Sequence, residues 1–217
     1  RAADLRFRQD EAAAFLATTM GLTVPEAAVA QLTQRTEGWA AGLQLAALAL
    51  HEQTDVSDFV AGFTGSNRYI VDYLAEEVFS RLPGHLQRFV LHTAILDRFT
   101  AALCDAILGI QASDDDAYSR LMNLFLVPLD VERRWFRYHH LFADVLRERL
   151  RRELPSERIA ALHQTASGWF DAQGWFNEAI QHALAAADFP LAGRLIEQYR
   201  DVVIARSEYR TLRGWLD

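Results

Sequence analysis

The 217-residue chain contains no lysine; all 22 of its basic residues are arginine. That absence excludes a phosphate-binding loop of the Walker type, which sets a Lys against the β- and γ-phosphates. It also excludes Schiff-base and lysine-nucleophile chemistry. Cysteine is almost missing too. Cys104 stands alone, so neither an internal disulfide nor a cysteine-based metal site can form. It lies in the apolar helical run from Thr100 to Leu108 and reads as a small buried hydrophobe. No apolar run approaches the ~18 residues of a membrane span, and no secretory signal opens the chain. A cytoplasmic protein without a membrane partner is expected. Positive charge is in deficit, with 22 basic against 29 acidic residues and a net charge of −7. Such a balance gives no general pull toward nucleic acid or anionic lipid.

What is present is apolar surface. The hydrophobic fraction of 51% and five Trp argue against disorder, and the length suits one or two domains with a real core. Ala3 to Phe7 alternates and reads as a short extended segment. Gln9 to Met20 is helical, with Ala12, Phe15, Leu16 and Met20 on one face and Gly21 as the stop. Thr23-Val24-Pro25-Glu26 reads as a capping box opening a helix to about Arg35. Trp39 to His51 is apolar for three turns and should be buried on most sides. Thr54-Asp55 caps a short helix ending near Phe63, with Gly62 and Gly65 marking the following turn. An amphipathic helix starts at Asn67 and carries Tyr69, Ile70, Tyr73, Leu74 and Val78 inward. Pro83-Gly84 breaks it, and Leu86, Phe89, Val90 and Ala94 set the next helix. Thr100 caps the helix of Cys104. Ser113 to Asp116 opens one more, its acids favourable at a helix N-terminus.

Two short β-type runs follow, Leu126 to Leu129 and Trp135 to Tyr138. They are joined by Asp130 to Arg134 as a hairpin, with a helix from His139. Beyond Pro155 the pattern is helical again. Ile159, Leu162, Ala166, Trp169 and Phe170 form one face. Trp175, Ala179, Ile180, Ala183 and Leu184 form a second, and Leu191, Ala192, Leu195 and Ile196 a third. The turns at Gly174 and at Asp188-Phe189-Pro190 are short. Such helix pairs are similar to tetratricopeptide repeats, without a clean 34-residue period.

Two stretches carry a family resemblance. Thr36-Glu37-Gly38-Trp39-Ala40-Ala41-Gly42-Leu43-Gln44-Leu45-Ala46-Ala47 resembles the signature of the MalT-type signal-transduction ATPases, which are large ATP-dependent LuxR-family transcription regulators. About a hundred residues on, Trp135-Phe136-Arg137-Tyr138-His139-His140-Leu141-Phe142 resembles a segment of the same family's winged-helix domain. The resemblance implies a mainly α protein. Residues 1–8 would be the tail of a nucleotide-binding core, 9–53 a small helical domain, 54–153 a winged-helix domain with a short β-hairpin, and 154–217 the start of a tetratricopeptide-like arm. With neither the nucleotide core nor a DNA-binding domain in the chain, it implies an internal piece of a larger regulator.

The wider class includes the apoptosome and plant disease-resistance ATPases. Gly38-Trp39 with Gly42 to Ala46 is similar to their helix start that lies against the bound adenine nucleotide. Tyr138-His139-His140 is similar to their Met-His-Asp motif, whose His reaches the ADP β-phosphate. Here His140 replaces the Asp, so the resemblance leaves open which His approaches phosphate. It implies Gly38, Trp39, His139 and His140 as cofactor-binding residues, with ADP or ATP bound in the full-length parent and none expected in the isolated chain. It also implies as partners the parent's own core and sensor domains, further copies of the parent, and DNA through a C-terminal helix-turn-helix.

Each of these residues also has a plainer role open to it. Trp39 suits a core aromatic at a helix start, and His139-His140 suits a capped, partly exposed pair. With His163 or His182 the pair could in principle hold a metal, but no His stands at i, i+4 to it, so no metal site is assigned. Arg147, Arg149, Arg151 and Arg152 read as cations at a helix C-terminus rather than a nucleic-acid strip. Glu76-Glu77 and Asp114 to Asp116 fall on solvated helix faces, and Ser113, Ser167 and Ser207 lack a nucleophile elbow. No catalytic residue is assigned, and the chain is not expected to be an enzyme. The expected function is a regulatory segment that couples the nucleotide state of the core to assembly and transcription control. The competing readings are a winged-helix DNA-binding protein with a helical dimerisation arm, and a tetratricopeptide-like scaffold.

Overall fold

A computed structural model describes residues 6–51, 56, 59–60, 63, 79–109 and 126–205. Among these the chain is mainly helical, with nine α-helices and one two-stranded antiparallel hairpin. The helices expected over most of 54–63, from Asn67 to Val78 and from Ser113 onward lie outside the described residues, as do Ala3 to Leu5, Gly62 and Gly65. No described helix is long and apolar enough to cross a membrane. The chain divides into two compact units. One combines residues 1–98 with 115–149, the other 99–114 with 150–217.

In the first unit α1 covers Gln9–Ala14 and α2 Glu26–Arg35. The helix expected to run unbroken to Met20 widens into a π-helical turn at Phe15–Thr19. Ala12 and Leu16 still point into the core, and Gly21 stops the run with φ +66°. The expected capping box at Thr23 does not form. Pro25, in extended conformation, is the N-cap of α2, and no side chain caps it. The missing amide of a proline costs nothing at a helix start, where the first N–H groups have no intrahelical partner anyway.

Helix α3, Ala40–Leu50, begins one residue after Trp39, which is its N-cap. It buries Leu43, Leu45, Ala46, Ala47, Ala49 and Leu50 and exposes only Gln44 and Leu48 among its described side chains. His51, just past its end, bonds through Nε2 to the Met20 carbonyl at 3.2 Å and ties the ends of two helical segments together.

After a 3-10 turn at Phe79–Arg81, α4 spans Gly84–Thr93 with Pro83 as its N-cap. Strand β1, Leu126–Pro128, pairs with β2, Phe136–Tyr138, with Leu126 opposite Tyr138. The Asp130 carboxylate closes the turn by accepting from the amides of Arg134 and Trp135 at 2.8 and 3.3 Å, a common task of Asp in turns. Helix α5, Ala101–Leu108, belongs to the other unit. Helix α6, His140–Glu153, follows β2 after a single residue, His139. Tyr138 joins hairpin to helix: its hydroxyl lies 2.6 Å from Thr93 Oγ1 in the core, and its ring meets Phe142 edge-on. Arg147 on α6 donates to the Ala94 carbonyl at 3.1 Å and to Asp97 at 2.6 Å, clamping the end of α4.

In the second unit Thr100 caps α5 by accepting from the Leu103 amide at 3.3 Å, as its side chain predicts. Gly109 ends the helix in the left-handed conformation. Helices α7 (Ser156–Ala172), α8 (Phe176–Ala185) and α9 (Phe189–Ala205) pack in sequence, and α5 rests on α7. Leu162, Ala166 and Phe170 face Ala179, Ile180 and Ala183 in the core. Ser167 is fully buried but donates to the Ala179 carbonyl at 2.7 Å, so its hydroxyl is satisfied.

Candidate functional site

The two sequence stretches meet in the first unit. Helix α2 ends at Arg35, and Thr36, Glu37 and Gly38 turn the chain toward α3. Thr36 is buried, its hydroxyl donating to the Leu32 carbonyl at 2.8 Å. Glu37 and Gly38 both take left-handed backbone, φ +50° and +71°. At Gly38 the requirement is also steric, because a Cβ there would collide with the Phe7 carbonyl oxygen. That approach is used: the Phe7 amide donates to the Gly38 carbonyl at 2.7 Å, and Arg6 bridges to Trp39. Gly42 serves the ring of Trp39. A Cβ at Gly42 would stand 2.8 Å from Trp39 Cε3 and 3.3 Å from Thr36 Cγ2.

Against this corner lie Arg137 of β2 and the two histidines that precede and open α6. His139 Nε2 donates to the Thr36 carbonyl at 2.7 Å. His140 Nδ1 and Glu37 Oε1 are 2.9 Å apart, and Arg137 Nη2 donates to Glu37 Oε2 at 2.9 Å. Arg137 Nη1 donates to the Tyr138 carbonyl at 3.1 Å. Arg6 adds a third basic group, 3.9 Å from Glu37 Oε2. The rings of His139 and His140 stack at 4.8 Å, and Trp39 lies against His139 at 5.4 Å, tilted 49°.

Burial sets the electrostatics. His139 is 6% exposed. Loss of water pushes its pKa down to about 4, against the opposing pull of the Thr36 carbonyl and the Glu37 charge. It is therefore neutral at pH 7, its single N–H on Nε2 is committed to Thr36, and Nδ1 is buried with no hydrogen-bond partner among the described residues. For Glu37, burial alone would raise the carboxyl. The hydrogen bonds from His140 and Arg137 outweigh it, helped by the Arg137 charge, and hold the group well below the usual carboxylate range.

Of the four residues singled out from sequence, Trp39, His139 and His140 are brought together and Gly38 shapes the corner beneath them. Trp39 is neither fully buried nor on open surface; it is half-buried between Gly42 and His139. His140 is partly exposed, and no described residue bonds its Nε2. Glu37, Arg137 and Arg6 were not singled out. Glu37 and Arg137 lie inside the quoted stretches, but nothing in a sequence pairs two charges a hundred positions apart.

One donor atom each of Glu37, His139 and His140 fall within 4.8 Å of one another. In this structure both Glu37 oxygens accept hydrogen bonds, and His139 Nε2 donates to Thr36.

Comparison with known proteins agrees with the fold. Residues 75–158 match the family described as the MalT winged helix domain. The chain is 40% identical over 213 residues, 97% of its length, to the serine/threonine-protein kinase PknK of Mycobacterium tuberculosis, of which it covers 19%. It is 30% identical over 221 residues, 98% of its length, to the HTH-type transcriptional regulator MalT of Yersinia enterocolitica, covering 24% of that protein. With MalT of Vibrio cholerae the identity is 29% over 185 residues, 82% of this chain and 20% of that protein. The chain spans about a fifth of the length of the curated relatives it matches.

Proposed function

We propose, from the premise that this chain belongs to the MalT-type family of regulators, that its regulatory winged-helix segment couples the ADP or ATP state of a nucleotide-binding core to assembly and transcription control. The observation that carries the reading is the meeting of Thr36 to Trp39 with Arg137 to His140. Two guanidinium groups, an imidazole and the first turns of α3 and α6 converge at one place. Helix starts offer free N–H groups and partial positive charge, which suit phosphate. No side chain caps α3. Trp39 would face adenine, and His140 would be the histidine that reaches phosphate, because it is partly exposed while the only N–H of neutral His139 is held by Thr36. The chain itself acts without chemistry of its own. Its partners in the longer protein would be the nucleotide-binding core, a sensor reached through a tetratricopeptide-like arm, and DNA through a helix-turn-helix elsewhere.

The test is ADP retention by the longer protein. His140→Ala removes one charge-assisted hydrogen bond, so ADP release should rise about tenfold, and basal transcription with it. A folded His140→Ala protein with unchanged ADP affinity would remove this residue from the phosphate site. Salt-dependent duplex binding by the isolated chain would favour the DNA-binding reading instead.

A further inference from the structure

The charges at the corner do not balance. Arg6, Arg137 and His140 surround a single carboxylate in a chain that is otherwise acidic. The basic groups are also the outer ones, their side chains 39%, 31% and 38% exposed against 18% for Glu37. Arg137 and His140 approach different oxygens of Glu37, each at 2.9 Å. This two-point fork suits a carboxylate and a phosphate equally. Glu37 holds this place with φ +50°, a conformation that disfavours Glu and most other residues with a Cβ, Asn and Asp least.

We propose that the Glu37 carboxylate stands where a nucleotide phosphate would bind, as a built-in competitor. Arg137 and His140 close on Glu37 when phosphate is away and turn to phosphate when it arrives. The inference rests on the nucleotide-coupling reading above and adds Arg137 as a phosphate-binding residue and Glu37 as the residue that sets affinity. Nothing covalent is involved; one anion replaces another on the same donors. The exchange would also loosen the tie between the corner before α3 and the start of α6, because both of Glu37's hydrogen bonds to the Arg137–His140 segment are given up together.

The experiment is calorimetric titration of the longer protein with ADP, and with adenosine as the probe that lacks phosphate. Glu37→Gln keeps the shape and removes the charge. It should bind ADP roughly tenfold more tightly, as expected when a charge-assisted competitor is weakened, and adenosine unchanged. Arg137→Gln should bind ADP more weakly. Glu37→Asn repeats the measurement with a residue that tolerates left-handed backbone, should the Gln variant fold poorly. If the wild-type protein binds ADP but the Glu37 variants bind it equally or less well, the competitor is overturned while nucleotide coupling stands. If the wild type binds no ADP, both fall. A Glu37→Gln protein that melts lower by the same amount with and without ADP assigns Glu37 to stability alone and also overturns the proposal.

Discussion

His139 carries a pH dependence whose sign follows from its burial. Its folded pKa of about 4 lies below the unfolded value of 6.5, so between these pH values the unfolded chain binds more protons. The stability it contributes is complete above about pH 6.5 and is lost as pH falls toward 4. From pH 7 to pH 5 the loss should be roughly 2 kcal/mol, read from urea unfolding at the two pH values. His139→Gln, which keeps a donor for the Thr36 carbonyl, should flatten that limb. Glu37 acts lower. Its folded pKa is depressed, so its stabilisation is complete above the ordinary carboxylate range and is lost progressively as pH falls through that range and below it. Trp39→Ala should cost less than the ~3–5 kcal/mol of a fully buried aromatic, because the ring is only half-buried. Equal or greater loss in the isolated chain would make Trp39 a core residue first. Cys104, free and buried, has its thiol pushed up by loss of water and by Asp105. It should resist alkylation at pH 8 until the protein is unfolded.

Elements begin and end where local chemistry dictates. Thr100→Ala should remove about 1 kcal/mol by deleting the cap on α5, seen as a shift in the urea midpoint at constant slope. Gly38→Ala should cost at least ~2 kcal/mol, since it adds left-handed strain to a collision with the Phe7 backbone. A Gly38→Ala protein as stable as wild type would mean that the Phe7 segment moves aside easily. Helix periodicity, the hairpin, Gly21 and the Thr100 cap were all legible from residue order. Each depends on residues within a few positions of one another. The π-helical turn at Phe15–Thr19 and the proline N-cap of α2 were not. The first departs from the α-helical period, and the second replaces a cap that the Thr23-to-Glu26 pattern favours equally.

At the scale of the whole molecule, circular dichroism of the chain should be dominated by helix, with the hairpin a minor contribution; a sheet-dominated spectrum would contradict the fold. The two units take their residues from separate stretches of sequence. The segment 99–114 belongs with 150–217, and 115–149 with 1–98. Neither unit is therefore a continuous piece of chain, and a cut at a single position would leave both short of core. Expressed alone, residues 150–205 should be less stable than with α5 present, because α5 rests on α7. Hydrogen exchange on α7 would report it.

Sequence alone determined the helical class, the hairpin, the two stretches that matter and the chemistries a chain without lysine and with one cysteine cannot perform. These follow from composition and from patterns whose period is a few residues. Only the tertiary structure decided that Thr36 and Glu37 meet Arg137, His139 and His140. It also decided that one histidine is buried and neutral while its neighbour faces outward, and that the cations outnumber the carboxylate they surround. Those outcomes depend on burial and on contacts between residues a hundred positions apart. Both are properties of packing, which the order of residues specifies only through the completed fold.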